Sequence, residues 1–454
     1  MLRGLGIARR AISCSGIFLG ELMSPAEAQF RAMIPTRPDL KQHRRACTVA
    51  AVLLWLSSAV YAAPLTLDAA LAKVIASHPE LRGFALRGEA LEAEGAVANL
   101  RPEMSLGLSI ENALGSGDYR GFDSAESTLT LAGLIERGGK REARRAMAAA
   151  RFDALGVERS AMQFDVLAET ARRYLDVVGW QARQPLLEAE LAQRERMAEA
   201  ARKRFAIGAA PEAMALKAEA DVAATKAALA ATRGSTIAAA RKLALMWSDR
   251  SGATFEAVPL PSAVPPLPAY EDFRKALPSS PELARFATES RIRDARVRLA
   301  VADASADIDW ELGVRHLAGS GDVALVAGAS IPLGVSRRAA LERSAARAER
   351  AALELERESV EAQLEAALLE AWSRANSAVE RVTALESEIL PRLRKAAESA
   401  ERAYVAGALT YVEWSEVQSA VRSAGEAALE AKLEWRRSMI EIQRLTAEPV
   451  ITER

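Results

Sequence analysis

Two carboxylates, Glu413 and Glu416, are the side chains of this chain best suited by composition and position to attract cations. They stand three residues apart, so a helix would carry both on one face. Carboxylates grouped in this way attract cations and raise one another's pKa values by like-charge repulsion. A solvated helix face is the plainer interpretation and needs no chemistry.

The reactive residues of this sequence do not form the pattern of a catalytic site. His78 and His316 are isolated, and the methionines are scattered. Cys14 and Cys47 both precede the predicted export cleavage site, so they provide neither a disulfide nor a thiolate site afterwards. Because no nucleophile with a base, phosphate loop, metal cluster or basic patch is visible, we expect no enzyme, cofactor, resident metal site or nucleic-acid binding.

The first residues predict export. A basic segment before Ala46, an apolar run from Ala46 to Val60 and small residues before Ala63 have the order of a signal peptide, so we assign residues 1–62 to an N-terminal extension and signal. Translation could begin at Met1 or at Met33. The apolar run is shorter than the ~20 residues of a spanning helix.

The remaining chain reads as an internal duplication. Helix starts at Pro79-Glu80-Leu81 and Pro281-Glu282-Leu283 lie about as far apart as Gly208 and Gly407, which each follow an aromatic residue in an Ala-rich helical run. We place the first repeat at residues 63–262, with a β-hairpin at about 103–135 and a long helical hairpin at about 140–247. The second occupies residues 263–454, with corresponding elements at about 307–333 and 337–445.

The short alternating segments in each repeat predict strands. Leu106, Leu108 and Ile110 alternate with small residues, and Trp310, Leu312 and Val314 alternate with Glu311, Gly313 and Arg315. Arms near ~10 residues suit strands that cross a bilayer, with unlike faces toward lipid and lumen. Four such strands would expose their edges to lipid, so we expect the chain to oligomerise. Three copies would close a twelve-stranded barrel.

Long helical stretches follow each hairpin. At ~1.5 Å per residue each would be roughly 100 Å long. Ala, Glu, Arg and Leu dominate a composition that is 50% hydrophobic and 5% aromatic, which favours helices packed along their sides. Pro185 and Pro391 predict a kink or break in each stretch, and residues 248–281 predict an irregular crossover between the repeats.

These features together resemble the TolC-type outer membrane efflux family over nearly the whole exported chain. The resemblance rests on Leu65-Thr66-Leu67-Asp68-Ala69-Ala70-Leu71, the repeated Pro-Glu-Leu helix starts, the hairpins and the aromatic-x-x-Gly turns. It implies a mainly α-helical fold with a membrane β-barrel: a homotrimer with a 12-stranded barrel on an α-helical periplasmic barrel. It also implies a passive exit duct in the Gram-negative outer membrane that meets a periplasmic adaptor and an inner-membrane pump of the RND type.

Four groups of residues are candidate sites. The resemblance implies adaptor docking at the helical tips, at Phe205, Gly208, Tyr404 and Gly407. It also implies an acidic aperture at Glu413 and Glu416, where threefold symmetry would form carboxylate rings, although the family usually has aspartates there. Trp310, Tyr119 and Phe122 could lie at the bilayer interface.

The fourth group is the strand-to-helix junction at Gly138, Gly139, Lys140 and Arg141. The segment Glu136-Arg137-Gly138-Gly139-Lys140-Arg141 is similar to a signature of the heavy-metal branch, which exports cobalt, zinc and cadmium or copper and silver. Read from the residues alone, the glycines let the chain turn and the two cations are solvated.

The expected function is therefore conduction of heavy-metal cations out of the cell. One alternative keeps the fold but exports drugs or a secreted protein. Another class is a soluble periplasmic coiled-coil scaffold whose hairpins are surface ribbons.

Overall fold

The computed structural model describes residues 64–252, 255–259, 261 and 263–448. The predicted signal peptide and cleavage site lie outside these residues, as does residue 262 at the predicted boundary between the repeats.

The first half of the chain contains four helices and two strands among the described residues. In chain order they are α1 Leu67–Ser77, α2 Pro79–Ala98, β1 Ser105–Glu111, β2 Glu126–Ile135, α3 Lys140–Ala206 and α4 Glu212–Ala244. A short 3₁₀ turn, Leu245–Trp247, follows α4.

The second half presents the same order of elements, with one exception. They are α5 Tyr270–Ala276, α6 Pro281–Ala302, β3 Ile308–Leu317, β4 Val323–Ser330, α7 Val335–Ala384, α8 Leu390–Val405 and α9 Tyr411–Thr446. The exception is that two helices, α7 and α8, follow its strands where the first half has α3 alone. The crossover is less irregular than predicted, because α5 and the 3₁₀ turn Leu277–Ser279 occupy its end.

Local sequence explains where these helices begin. The Thr66 side chain accepts a hydrogen bond from the backbone N–H of Ala69 at the start of α1. Pro79 and Pro281 stand in the first turns of α2 and α6, where a helix needs no N–H donor. Ser280 caps α6 by accepting from the N–H of Leu283 at 3.2 Å.

The two internal prolines have different outcomes. Pro185 lies inside α3, which continues without a break, so a break there is wrong. Pro391 follows a π-helical turn, Leu385–Ile389, which separates α7 from α8. A wider turn relieves the clash between a proline ring and the preceding carbonyl group, which accounts for its position.

The four strands form one antiparallel sheet in the order β1-β2-β3-β4. Leu108 pairs with Leu129, Leu129 with Val314, and Val314 with Leu325. The pair between β2 and β3 joins the two halves of the chain. β1 and β4 are the outer strands, and each has one strand neighbour among the described residues.

The helices pack side by side in an order that corresponds to the order of the strands. α2 and α4 both pack on α3, while α6 and α9 lie between α3 and α7. Tyr174 anchors this packing where the N-terminal segment meets the crossover, because its hydroxyl donates to the carbonyl groups of Leu65 and Val258 at 2.9 and 3.0 Å. α2 and α4 at one side, and α7 and α8 at the other, are the outermost helices.

Candidate functional site

The helical tips are two turns that each reverse a helix at a glycine. Gly208 has φ 72° between α3 and α4, and Gly407 has φ 83° between α8 and α9. The N–H of Ala209 donates to Arg204 and that of Ala408 to Ala403, each five residues back, at 2.8 and 2.9 Å. This bond closes a helix C-terminus in which the residue after the C-cap, here the glycine, is left-handed, as the sequence predicted for both glycines.

The aromatic residue before each tip glycine has a different environment. Phe205 is 42% exposed, whereas Tyr404 is only 3% exposed. Ile207 and Val405 are the more accessible apolar side chains, at 78% and 75%. A partner that approached the tips would meet these two side chains, which the sequence interpretation did not single out.

Tyr404 instead joins the two tips to each other. Its ring stacks on Trp414 with centroids 4.7 Å apart, and Tyr411 meets it edge-on at 6.5 Å. The Arg204 guanidinium from the first tip lies 5.0 Å from the Tyr404 ring centroid. It also donates to the Tyr404 carbonyl group at 2.9 Å. Arg204 therefore holds the backbone and the ring of the second tip.

A polar network lies just behind the tips and links α9 to both helices of the first hairpin. The Tyr411 hydroxyl donates to Asp221 Oδ2 in α4 at 3.0 Å. Arg194 in α3 donates to Ser415 Oγ at 2.9 Å and lies 3.5 Å from the same Asp221 oxygen. Arg422 reaches Glu190 at 3.3 Å. Sequence spacing gave no signal for this network, because its members are distant along the chain.

Burial keeps the Tyr411 hydroxyl protonated, so its hydrogen bond to Asp221 persists over a wide pH range. Tyr411 is 3% exposed, and burial together with the hydrogen bond to Asp221 raises the pKa of its hydroxyl to about 12. A raised pKa means that the fold favours the protonated hydroxyl. The donor is therefore present at all physiological pH values and is lost only when the pH rises through that value.

Glu413 and Glu416 lie in the first turns of α9, and both are exposed. Glu413 has a local role: Thr410 donates its backbone N–H to the carboxylate at 2.8 Å, and the N–H of Glu413 donates to the Thr410 hydroxyl at 3.3 Å. This is a reciprocal capping box. The bonds from Thr410 lower the pKa of Glu413. Glu416 has no ion-pair partner among the residues that the structure describes.

The strand-to-helix junction is a second organised cluster. Gly138 and Gly139 are both left-handed, with φ 76° and 72°, between β2 and α3. A Cβ on Gly138 would lie 2.6 Å from the carbonyl oxygen of Ala302, whereas one on Gly139 would meet nothing within 4 Å. Gly138 thus permits a close approach to the end of α6, and Gly139 serves the backbone conformation alone.

Asp307 holds this junction from the other half of the chain. Its carboxylate accepts the Lys140 ammonium at 2.6 Å and the Arg137 N–H at 3.0 Å. Burial would raise the pKa of Asp307, but these bonds bring it below its ordinary value. Arg141 donates to the Asn99 carbonyl group at 2.7 Å. The expectation that Lys140 and Arg141 are solvated is therefore wrong: both hold α3 against neighbouring elements.

The sheet has one apolar and one polar face. Its register places exposed apolar residues on one face: Leu106, Leu108, Leu129, Leu131, Leu312, Val314 and Leu325. Trp310 lies on this face opposite Gly133, whose missing side chain leaves room for the indole ring. On the other face Arg315 donates to Glu126 at 2.9 Å and to Thr128 at 3.0 Å. Tyr119 and Phe122, in the loop between β1 and β2, are exposed.

The described residues also contain neither a membrane-spanning helix nor a cluster of metal-binding side chains. None of the helices described there has the length and apolar character to cross a membrane. No group of three or more His, Cys, Asp or Glu side chains placed to hold a metal ion occurs in that part of the chain.

Known proteins share this sequence pattern and fold. Residues 70–248 match the family described as outer membrane efflux protein. The cobalt-zinc-cadmium resistance protein CzcC of Cupriavidus metallidurans is 26% identical over 357 residues, which are 79% of this chain and 84% of that protein.

Solved channels have the same fold. The outer-membrane channel OprN gives a TM-score of 0.70 at 18% identity, with 85% of this chain and 90% of that chain covered. CusC gives 0.70 at 14% identity, covering 84% and 91%, and VceC of Vibrio cholerae gives 0.68 at 17%, covering 85% and 97%. Residues 70–248 therefore match the outer membrane efflux proteins in sequence, and most of the described chain has the fold of outer membrane channels. These matches support an outer membrane efflux channel, not an enzyme, that lies in the Gram-negative outer membrane and extends into the periplasm. Channels of this family work with a periplasmic adaptor and an inner-membrane pump.

Proposed function

We propose that three copies of this chain form the exit duct of a tripartite pump and that its cargo is heavy-metal cations. The two repeats, 63–262 and 263–454, would each supply one strand hairpin and one helical hairpin to the duct. The observation that carries the proposal is that, among the described residues, the sheet and the helix packing both end in elements that have a neighbour on one side only.

The sheet supports ring closure. β1 and β4 each lack a second strand neighbour among the described residues, although the apolar face between them suits lipid. Unpaired backbone groups in lipid cost several kcal/mol each, so a strand from another copy must cover each edge. β4 of one copy beside β1 of the next repeats the antiparallel pairing of β2 with β3. Three copies would give a twelve-stranded barrel.

The helices support the same closure. Within the chain, α6 and α9 have a long helix on each side, whereas α2 and α4 have one, α3. The corresponding second neighbour for α2 and α4 is the pair α7 and α8 of another copy. A head-to-tail contact of this kind closes into a ring when its rotation matches the number of copies. The helices would then continue the barrel into the periplasm.

The trimer is tested by the mass of the detergent-solubilised protein. We expect light scattering, corrected for bound detergent, to give three chains per particle. A monomer that remains in solution without detergent would contradict the duct and support the soluble scaffold.

The tips are proposed as the adaptor contact and the aperture. Phe205, Gly208 and Gly407 would lie at the contact surface, with Tyr404 shaping it from within. Glu413 and Glu416 would face the axis as two carboxylate rings. Their position in the first turns of α9, beside the second tip, supports this assignment.

The cargo assignment rests on the relative named for cobalt, zinc and cadmium resistance and on the junction motif that this chain shares with the heavy-metal branch. We expect deletion of the gene to increase sensitivity to cobalt, zinc or cadmium salts, and the intact gene to restore growth. Unchanged metal tolerance together with increased sensitivity to drugs would reject this cargo and favour drug efflux.

A further inference from the structure

The two halves of the chain align helix by helix. α2 and α6 align without gaps from Pro79 and Pro281 onward. This alignment places Leu86 at Thr288 and Leu100 at Ala302. Thr288 and Ala302 are 4% and 6% exposed because α6 lies between two long helices, whereas Leu86 and Leu100 are 67% and 62% exposed. Two leucine side chains of the first half are therefore exposed at positions where the corresponding residues of the second half are buried.

Ion pairs align α3 with α7 in the same way. Glu94 in α2 lies 3.8 Å from Arg151 in α3, and Arg296 in α6 lies 2.6 Å from Glu349 in α7. Glu94 aligns with Arg296, so the two pairs occupy equivalent places with their charges exchanged. This fixes Arg151 opposite Glu349 in the alignment.

When the alignment of α3 with α7 is extended toward the strands, it identifies one more exposed leucine. Ala143 aligns with Leu341, and these residues are 9% and 71% exposed. Further back, Leu129 aligns with Ala327, so their partners across the sheet, Leu108 and Leu312, also correspond.

When the alignment is extended from these strand partners toward the N-terminus, it identifies two charged residues whose counterparts form an ion pair within the chain. Glu103 aligns with Asp307, and Lys140 aligns with Arg338, so acid matches acid and base matches base. Within the chain the Lys140 ammonium lies 2.6 Å from the Asp307 carboxylate. The Arg338 side chain is 84% exposed and paired only with Glu342 of its own helix among the described residues, and Glu103 has no partner there.

We propose that Glu103 of one copy and Arg338 of the next form an ion pair that clasps each subunit boundary of the ring. Leu100 and Leu341 pack beside this clasp and exclude water from it. The inference rests on the proposed ring and names the side chains that hold it together. It places at every boundary between copies the contact that Lys140 and Asp307 make between the halves of one chain.

Charge on the two outer helices supports the pairing. α2 carries four glutamates and two arginines, whereas the first sixteen residues of α7, 335–350, carry five arginines and two glutamates. In the proposed ring the acidic α2 of one copy faces the basic start of α7 in the next copy. Opposite charges favour this contact, whereas α2 against α2 would bring like charges together.

Cysteine cross-linking tests the clasp. The chain after the predicted cleavage site has no cysteine, so Glu103→Cys with Arg338→Cys introduces the only two thiols. We expect a short bis-methanethiosulfonate linker, which joins two thiols through disulfide bonds, to give covalent dimers and trimers in outer membranes; reductant should return these bands to monomer on a gel. Lys140→Cys with Asp307→Cys is the matched control, which should cross-link within one chain and leave a monomer.

The outcomes separate the clasp from the ring. If the particle contains three chains and the control pair reacts, but the test pair gives no intermolecular bands, the clasp is wrong and the ring stands. If the particle is a monomer, both fall. As a second readout, Glu103→Arg should abolish the trimer band of unheated samples, and adding Arg338→Glu should restore it; a failure to restore would also overturn the clasp.

Discussion

At the residue scale, the most informative contacts are those that join distant parts of the chain through single atoms. The Tyr411 hydroxyl meets Asp221, and the Lys140 ammonium meets Asp307; each bond links the two halves. Such bonds are worth more when buried, because their loss leaves a polar group without water. The tips and the junction are therefore held in place by a few named groups.

Tyr411→Phe removes one of these bonds without changing the packed ring. We expect the closed tip to loosen by about 1–2 kcal/mol, because the Asp221 carboxylate loses a buried donor. Higher conductance in planar bilayers would report the loosening. Tyr404→Phe is the control, since the Tyr404 hydroxyl has no hydrogen-bond partner among the described residues. Equal effects of the two variants would contradict a specific role for the Tyr411 bond.

Gly138→Ala tests the junction against its neighbour. Both junction glycines are left-handed, so alanine at either costs about 1–2 kcal/mol of backbone strain. Only Gly138 also meets the Ala302 carbonyl group, which adds about 1–3 kcal/mol of overpacking. The temperature at which the assembled protein dissociates in detergent should fall further for Gly138→Ala than for Gly139→Ala. The reverse order would show that close packing at Ala302 is unimportant.

At the element scale, the sheet is built with two unlike faces. Leucine and valine cover one face along all four strands, whereas Arg315 and Glu126 pair on the other. A strand can do this because successive side chains point to opposite sides. The same alternation lets one element meet both lipid and an aqueous lumen.

Leu312→Lys puts this two-faced arrangement to the test. A lysine on a lipid-facing strand position costs about 2–4 kcal/mol near the bilayer centre, so we expect the variant to assemble poorly in the outer membrane. Val326→Lys lies one pair away on the polar face and should assemble normally. The amount of heat-modifiable protein in membrane fractions measures both. Equal assembly would mean that this face does not contact lipid.

At the scale of the whole molecule, the proposed duct requires several copies of the chain to associate in a ring. Carboxylates that are solvated on a single chain become a concentrated negative charge when a symmetry axis repeats them. Glu413 and Glu416 would acquire such a role in the proposed ring, whereas Glu413 already caps its own helix within one chain.

Glu416→Ala distinguishes the proposed role of the carboxylates in the aperture from the capping role of Glu413. We expect it to raise the conductance of the closed channel and lower its preference for cations, because one carboxylate per copy leaves the aperture. Thr410→Ala should do less, since it breaks the capping box but keeps both carboxylates. The lowered pKa of Glu413 means that its contribution persists as the solution is acidified and disappears only as the pH falls through that lowered value. Unchanged conductance and selectivity in Glu416→Ala would reject its place in the aperture.

The sequence alone determined the kinds and order of most elements. Period-two alternation specified the hairpins, Ala-rich helical runs specified the long helices, and Gly208 and Gly407 specified the reversals, because each of these is encoded by neighbouring residues. The resemblance to the outer membrane efflux family followed from the order of these features. The helix starts at Pro79 and Pro281 were equally local.

Only the tertiary structure decided which distant residues meet. It placed Asp307 on Lys140, Arg204 on Tyr404 and Tyr411 on Asp221, and it continued α3 through Pro185. These outcomes depend on packing between segments far apart in the chain, where local propensity carries no information. The physical reason is that burial is a property of neighbours in space, and the sequence lists only neighbours along the backbone.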